Sequence, residues 1–153
     1  MKTLTRYTDK RSSKKELVNI FLVEDDMMYL LAFGYNLQKI PGYKVSFYSS
    51  GEECLRNLDL NPNIVVLDYY LDGGKQDCLN GLELLNKIKK RKPETVVVML
   101  SAQKEMYVAL RALEEGAYTY LIKDKQSLKQ LELIINEIII KAGPLNNNRA
   151  DTQ

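Results

Sequence analysis

The segment Asn63-Ile64-Val65-Val66-Leu67-Asp68 constrains this chain more than any other. Four apolar residues in succession, mostly β-branched and preceded by Asn61-Pro62, describe a strand covered on both faces. Such strands belong to parallel sheets, whose ligands collect outside the carboxyl ends. Three further apolar runs end in the same manner. Ile20-Phe21-Leu22-Val23 runs into Glu24-Asp25-Asp26, Val96-Val97-Val98-Met99-Leu100 into Ser101, and Tyr120-Leu121-Ile122 into Lys123. Acids, a hydroxyl and a lysine therefore fall on one sheet edge, a composition suited to a phosphate and a metal ion.

Strand and helix patterns alternate around that segment. Strands are expected at about 19–23, 44–48, 63–68, 95–100 and 118–122. The first helix covers Met27 to Gln38, and Ser50-Gly51-Glu52-Glu53 is a capping-box pattern that opens the second. Asn80-Gly81-Leu82-Glu83 starts a third helix reaching about Lys90, and Lys104 to Glu115 makes a fourth, ended by Gly116. Ser127-Leu128-Lys129-Gln130 is expected to cap the last, whose run of Ile138, Ile139 and Ile140 cannot all face one core. Five βα units in this order imply an α/β fold, a three-layer α/β/α sandwich with right-handed crossovers. The folded part spans about 17–143. Residues 1–16, polar and basic, read as a flexible arm, and 144–153 as a frayed tail or the start of a linker.

Composition narrows the function. A net charge of +2 is too balanced to predict nucleic-acid binding, and no apolar stretch has membrane-spanning length. The first residues lack the apolar core of a secretory signal, and two cysteines outside any Cys-x-x-Cys pair suit a reducing cytoplasm. The chain has no histidine, which removes Ser-His and Cys-His nucleophile pairs and imidazole zinc sites.

Four motifs, Leu22-Val23-Glu24-Asp25-Asp26, Val65-Val66-Leu67-Asp68, Met99-Leu100-Ser101-Ala102 and Gly116-Ala117-Tyr118-Thr119-Tyr120-Leu121-Ile122-Lys123, stand in order, each at a strand end. Over about Leu17 to Gly143 the chain resembles the response-regulator receiver domains of two-component signalling. The resemblance implies a flavodoxin-like five-stranded parallel sheet of order 2-1-3-4-5. It also implies a phosphoacceptor signalling domain rather than an enzyme, taking a phosphoryl group on Asp68 from a histidine kinase or histidine phosphotransfer protein. In the family a Mg²⁺ ion lies between the two anions; Asp25, Asp68 and the backbone carbonyl of Tyr70 match its direct ligands, with Glu24 acting through a water. Ser101 and Lys123 match the residues that contact the phosphoryl oxygens. Ser101 and Tyr120 match the switch pair that reshapes the fourth helix, fifth strand and fifth helix, the surface for a downstream protein, an output domain or a homodimer. Taken singly, each residue has a structural alternative: Asp25 or Asp26 as a helix cap, Tyr120 as a half-buried strand tyrosine, Lys123 as a solvated side chain.

Three features depart from the family pattern. The loop between Asp68 and Asn80 is longer than usual, with Asp72-Gly73-Gly74-Lys75-Gln76-Asp77-Cys78 inside it. Asp124 stands where the family has proline after a cis bond; a non-proline cis bond costs on the order of 3 kcal/mol, so a trans bond with a rearranged loop competes with a strained cis one. Tyr70 and Gln103 occupy positions that shape water access, which suggests slow self-dephosphorylation. The competing functions are a pseudo-receiver that interacts without phosphorylation, a hydrolytic aspartyl phosphotransferase, and a flavin carrier on fold grounds alone. The domain is either stand-alone or the receiver portion of a longer protein.

Overall fold

The computed structural model describes residues 16–71, 77–102 and 104–143. The arm expected at 1–16 (apart from Glu16), the tail at 144–153, Gln103 and residues 72–76 of the long loop after Asp68 lie outside the described residues. The chain alternates β1 (Val18–Val23), α1 (Met27–Gln38), β2 (Tyr43–Tyr48), α2 (Gly51–Arg56), β3 (Ile64–Asp68), α3 (Gly81–Arg91), β4 (Val96–Ser101), α4 (Met106–Glu114), β5 (Thr119–Ile122) and α5 (Ser127–Ala142). A single 3-10 turn, Leu58–Leu60, follows α2.

All five strands run parallel in the order β2-β1-β3-β4-β5. Because side chains alternate across a strand, each strand feeds two cores. Phe21, Val23, Val65, Leu67, Val97 and Met99 point to the face that packs against α2, α3 and α4. Ile20, Leu22, Ile64, Val66, Val98 and Leu100 point to the other, covered by Phe33 and Leu37 of α1 and Leu131 and Ile135 of α5. This double coverage is the reason the strands read as unbroken apolar runs. The isoleucines of α5 divide as a 3.6-residue period requires: Ile135 and Ile138 are buried, whereas Ile140 is 78% exposed.

The helix starts use their capping side chains unequally. Asp26, not Asp25, caps α1, accepting from the backbone N–H groups of Met28 and Tyr29 at 2.9 and 3.4 Å. Asn80 and Glu83 form a complete capping box on α3. At α2 the box is half formed: Ser50 accepts from Glu53, but the Glu53 carboxylate takes the N–H of Ser49. Ser127 does not cap α5 as expected. It is the first helical residue, and its hydroxyl instead donates to the Asp124 carbonyl at 2.7 Å, tying the β5–α5 loop to the helix. The fourth helix begins at Met106 rather than Lys104, after Glu105, which makes no side-chain cap bond. The Lys123–Asp124 bond is trans, the described residues containing no cis peptide.

Candidate functional site

Register carries the polar residues to one edge. Val23 lies beside Leu67, Asp68 beside Leu100, and Ser101 beside Ile122, so the residues that follow β1, β3, β4 and β5 emerge together. The backbone continues the alignment past the strands, with Glu24 donating to the Tyr48 carbonyl at 3.0 Å and Lys123 to the Ser101 carbonyl at 2.8 Å.

Lys123 is the hub. Its Nζ meets Glu24 Oε2 at 2.5 Å and Asp68 Oδ2 at 3.1 Å, and all three side chains are nearly closed to solvent. Glu24 uses its other oxygen to accept the backbone N–H of Asp26 at 3.1 Å, so both its oxygens are engaged. Asp68 does not: its Oδ1 is buried and makes no hydrogen bond to the protein. Carboxylate oxygens of Glu24, Asp25 and Asp68 lie within 4.8 Å of one another, with Asp25 on the solvent side. With all three acids ionised, one ammonium leaves two negative charges, which a divalent cation balances, and oxygen-only donors suit a hard ion such as Mg²⁺. The orphaned oxygen of Asp68 and the exposed carboxylate of Asp25 supply open ligand positions, so the residues fit the ion that the sequence implies.

The electrostatics record that crowding. Burial, helped by the nearby Asp68 charge, raises Glu24 from 4.5 to about 7 despite its bond to Lys123. Asp25 is raised by burial and by Asp68. Burial alone would lower Lys123, but its bonds to Glu24 and Asp68 outweigh it and hold the ammonium above its ordinary value.

Ser101 is fully buried at the end of β4, and Tyr120, half-buried on the same core, hydrogen-bonds its side chain. Tyr70 is 39% exposed and stands edge-on against Tyr69, ring centroids 4.6 Å apart. Glu24, Asp25, Asp68, Ser101 and Lys123 therefore stand at the ends of β1, β3, β4 and β5, with Tyr70 two residues past β3 and Tyr120 within β5. Two neighbours escaped the sequence reading. Gly81 donates to the Tyr69 carbonyl at 2.8 Å, and a Cβ there would lie 2.5 Å from the Asp68 carbonyl oxygen, so α3 starts hard against the chain leaving the acceptor strand. Tyr29 places its ring 4.4 Å from Lys123 Nζ; its position one turn after Asp25 was the available signal.

The site is a cluster of buried acids and a lysine at the carboxyl edge of a doubly wound parallel sheet, the edge where ligands of such sheets collect. The chain belongs to the response regulator receiver domain family, whose model matches residues 20–136. It is 42% identical over 103 residues to the nitrogen assimilation regulatory protein NtrX of Azorhizobium caulinodans, covering 67% of this chain and 22% of that one. It is 30% identical over 114 residues to the two-component response regulator ORR27 of Oryza sativa subsp. japonica, covering 72% of this chain and 17% of that protein. The chain thus spans about a fifth of these relatives. Among solved structures it resembles the BeF3-activated DrrB receiver domain, with a TM-score of 0.70, 27% identity, and 80% of this chain aligned to 97% of that one. A CheY-like receiver from Methanospirillum hungatei JF-1 aligns with a TM-score of 0.68 and 26% identity, over 80% of this chain and 94% of that one. The family is a signalling domain, and no helix among the described residues is long and apolar enough to cross a membrane.

Proposed function

We propose that this receiver takes a phosphoryl group on Asp68 from the phosphohistidine of a kinase or histidine phosphotransfer protein, in a Mg²⁺-dependent reaction, and passes the change to a partner or output domain. The observation that carries this reading is the unequal treatment of the two Asp68 oxygens: Lys123 holds Oδ2 while Oδ1 is buried without a partner beside Glu24 and Asp25. A solvated or structural aspartate would satisfy both.

Asp68 is already an anion at neutral pH and needs no base to become a nucleophile. One of its oxygens attacks phosphorus, the donor's N–P bond breaks, and the electron pair stays on the imidazole nitrogen, which takes a proton from solvent. Asp25, Asp68 and the Tyr70 carbonyl would hold Mg²⁺, with Glu24 behind them because its oxygens are engaged. When bound, the ion neutralises the repulsion between the acceptor and the incoming phosphoryl oxygens. Lys123 is within reach of Asp68 before transfer and can follow the negative charge onto the phosphoryl group after it.

Ser101 offers a hydroxyl to another phosphoryl oxygen, and its hydrogen bond with Tyr120 would carry any shift of that hydroxyl to β5. The output surface is then α4, β5 and α5, where Met106, Tyr107 and Leu110 are exposed and suit a partner or a second copy. Tyr70, two residues after Asp68 and bulky, would slow hydrolysis of the acyl phosphate.

Intact-protein mass after incubation with acetyl phosphate and Mg²⁺ tests the proposal. One phosphoryl adduct, lost in Asp68→Ala and in chelator, is expected. No adduct, with the beryllium fluoride mimic also failing to bind, would point to a receiver that acts by interaction alone.

A further inference from the structure

An ammonium carries three N–H donors, and the Lys123 ammonium meets three partners. Two are the carboxylates of Glu24 and Asp68; the third is the ring of Tyr29, its centroid 4.4 Å from Nζ. We propose that Tyr29 is a positioning residue for phosphoryl transfer, its ring face fixing the Lys123 ammonium against the acceptor carboxylate and shielding it from water. The inference rests on Asp68 being the acceptor.

The contact is built rather than incidental. Lysine has a long flexible stem, so two partners on one side leave its head free to swing outward toward water. The Lys123 side chain is nevertheless only 4% exposed, while Tyr29, on the solvent side of it, is 37% exposed. The ring is seated from α1: Asp26 accepts the Tyr29 backbone N–H in the helix cap, which fixes the start of the helix, and Phe33, buried one turn later, packs against the ring with centroids 6.1 Å apart at 35°. The quadrupole of an aromatic face attracts a cation most strongly where water is excluded. Tyr29 makes and breaks no bond; it acts through Lys123, and its hydroxyl has no part in this. A ring without a hydroxyl should therefore serve, and an aliphatic side chain of similar bulk should not.

The test compares wild type, Tyr29→Leu and Tyr29→Phe as full chains with Mg²⁺. The rate of adduct formation from acetyl phosphate is followed by mass, and the Lys123 ε-methylene resonances by NMR. Tyr29→Leu is expected to react about threefold to thirtyfold more slowly, the range a cation–π contact spans between exposed and desolvated settings. Tyr29→Phe is expected to recover most of that rate. The Lys123 resonances should be shifted upfield by the ring in wild type and Tyr29→Phe, and return to ordinary values in a still well-dispersed Tyr29→Leu spectrum. A Tyr29→Leu protein that reacts as fast as wild type overturns the assignment, as does a Tyr29→Phe protein as slow as Tyr29→Leu. A wild type that takes no phosphoryl group removes the acceptor reading and this assignment together, a pattern distinct from the other two.

Discussion

The buried acids predict an unusual pH dependence of stability in metal-free protein, and Glu24 dominates it. Its carboxyl is held at about 7 in the folded chain against 4.5 as the reference for the unfolded one. Between those values the folded state binds the proton and the unfolded state does not, so stability falls as pH rises. The contribution is complete below about pH 4.5 and lost by the time the pH passes about 7. Because each pH unit of displacement is worth 1.36 kcal/mol, the loss by pH 8 is about 3 kcal/mol, a large share of a small domain's net stability. Urea denaturation in chelator, stepped from pH 5 to 8.5, measures it. Wild type should lose stability across that range. Glu24→Gln, which keeps the side-chain shape but has no charge to desolvate, should be flatter and more stable than wild type at pH 8. Parallel curves for the two proteins, or a wild type that gains stability from pH 5 to 7, would refute the reasoning.

Two further perturbations follow from the same geometry. Lys123→Met leaves Glu24 and Asp68 buried without their cation, and should cost about 3–5 kcal/mol at pH 8 and less at pH 5, where Glu24 is protonated; chemical denaturation at the two pH values checks the difference. Gly81→Ala brings a methyl group to 2.5 Å from the Asp68 carbonyl oxygen and 2.6 Å from Tyr69 Cα, backbone atoms that cannot turn aside. A loss of about 1–3 kcal/mol is expected, with slower acceptor chemistry in the same mass assay; a variant as stable as wild type would show that the helix start shifts freely.

The fold was legible because the strands are buried on both faces and so announce themselves as apolar runs, and because Asn80, Gly116 and Pro62 punctuate them. Element limits agree to within a residue or two. What failed was finer. Ser127 followed by Gln130 has the spelling of a cap, but sequence does not reveal whether a serine side chain turns forward onto its own helix or back onto the loop, as it does here toward Asp124. The acids and Lys123 were legible as strand-end residues, and their gathering follows from parallel register. Tyr29 was legible only as a residue one turn after Asp25; that its ring lies over the ammonium depends on how α1 packs on the sheet through Phe33 and Leu37.

The site also sets local rules against global stability. Elsewhere among the described residues no charged residue is buried; here three carboxylates crowd one lysine, and one oxygen has no partner. That conflict is useful if the repulsion that destabilises the empty site is what a divalent ion relieves, since a ligand that binds only the folded state stabilises it. The two quantities must then move in opposite directions. Glu24→Gln, which makes the chelated protein more stable at pH 8, should weaken Mg²⁺ binding although Glu24 is not placed as a direct ligand, because it removes a negative charge from beside Asp25 and Asp68. Calorimetric titration with Mg²⁺ beside urea denaturation in chelator gives both numbers on one preparation. A Glu24→Gln protein that is more stable when empty and yet binds Mg²⁺ as tightly as wild type would show that repulsion among these acids is not the source of the ion's affinity.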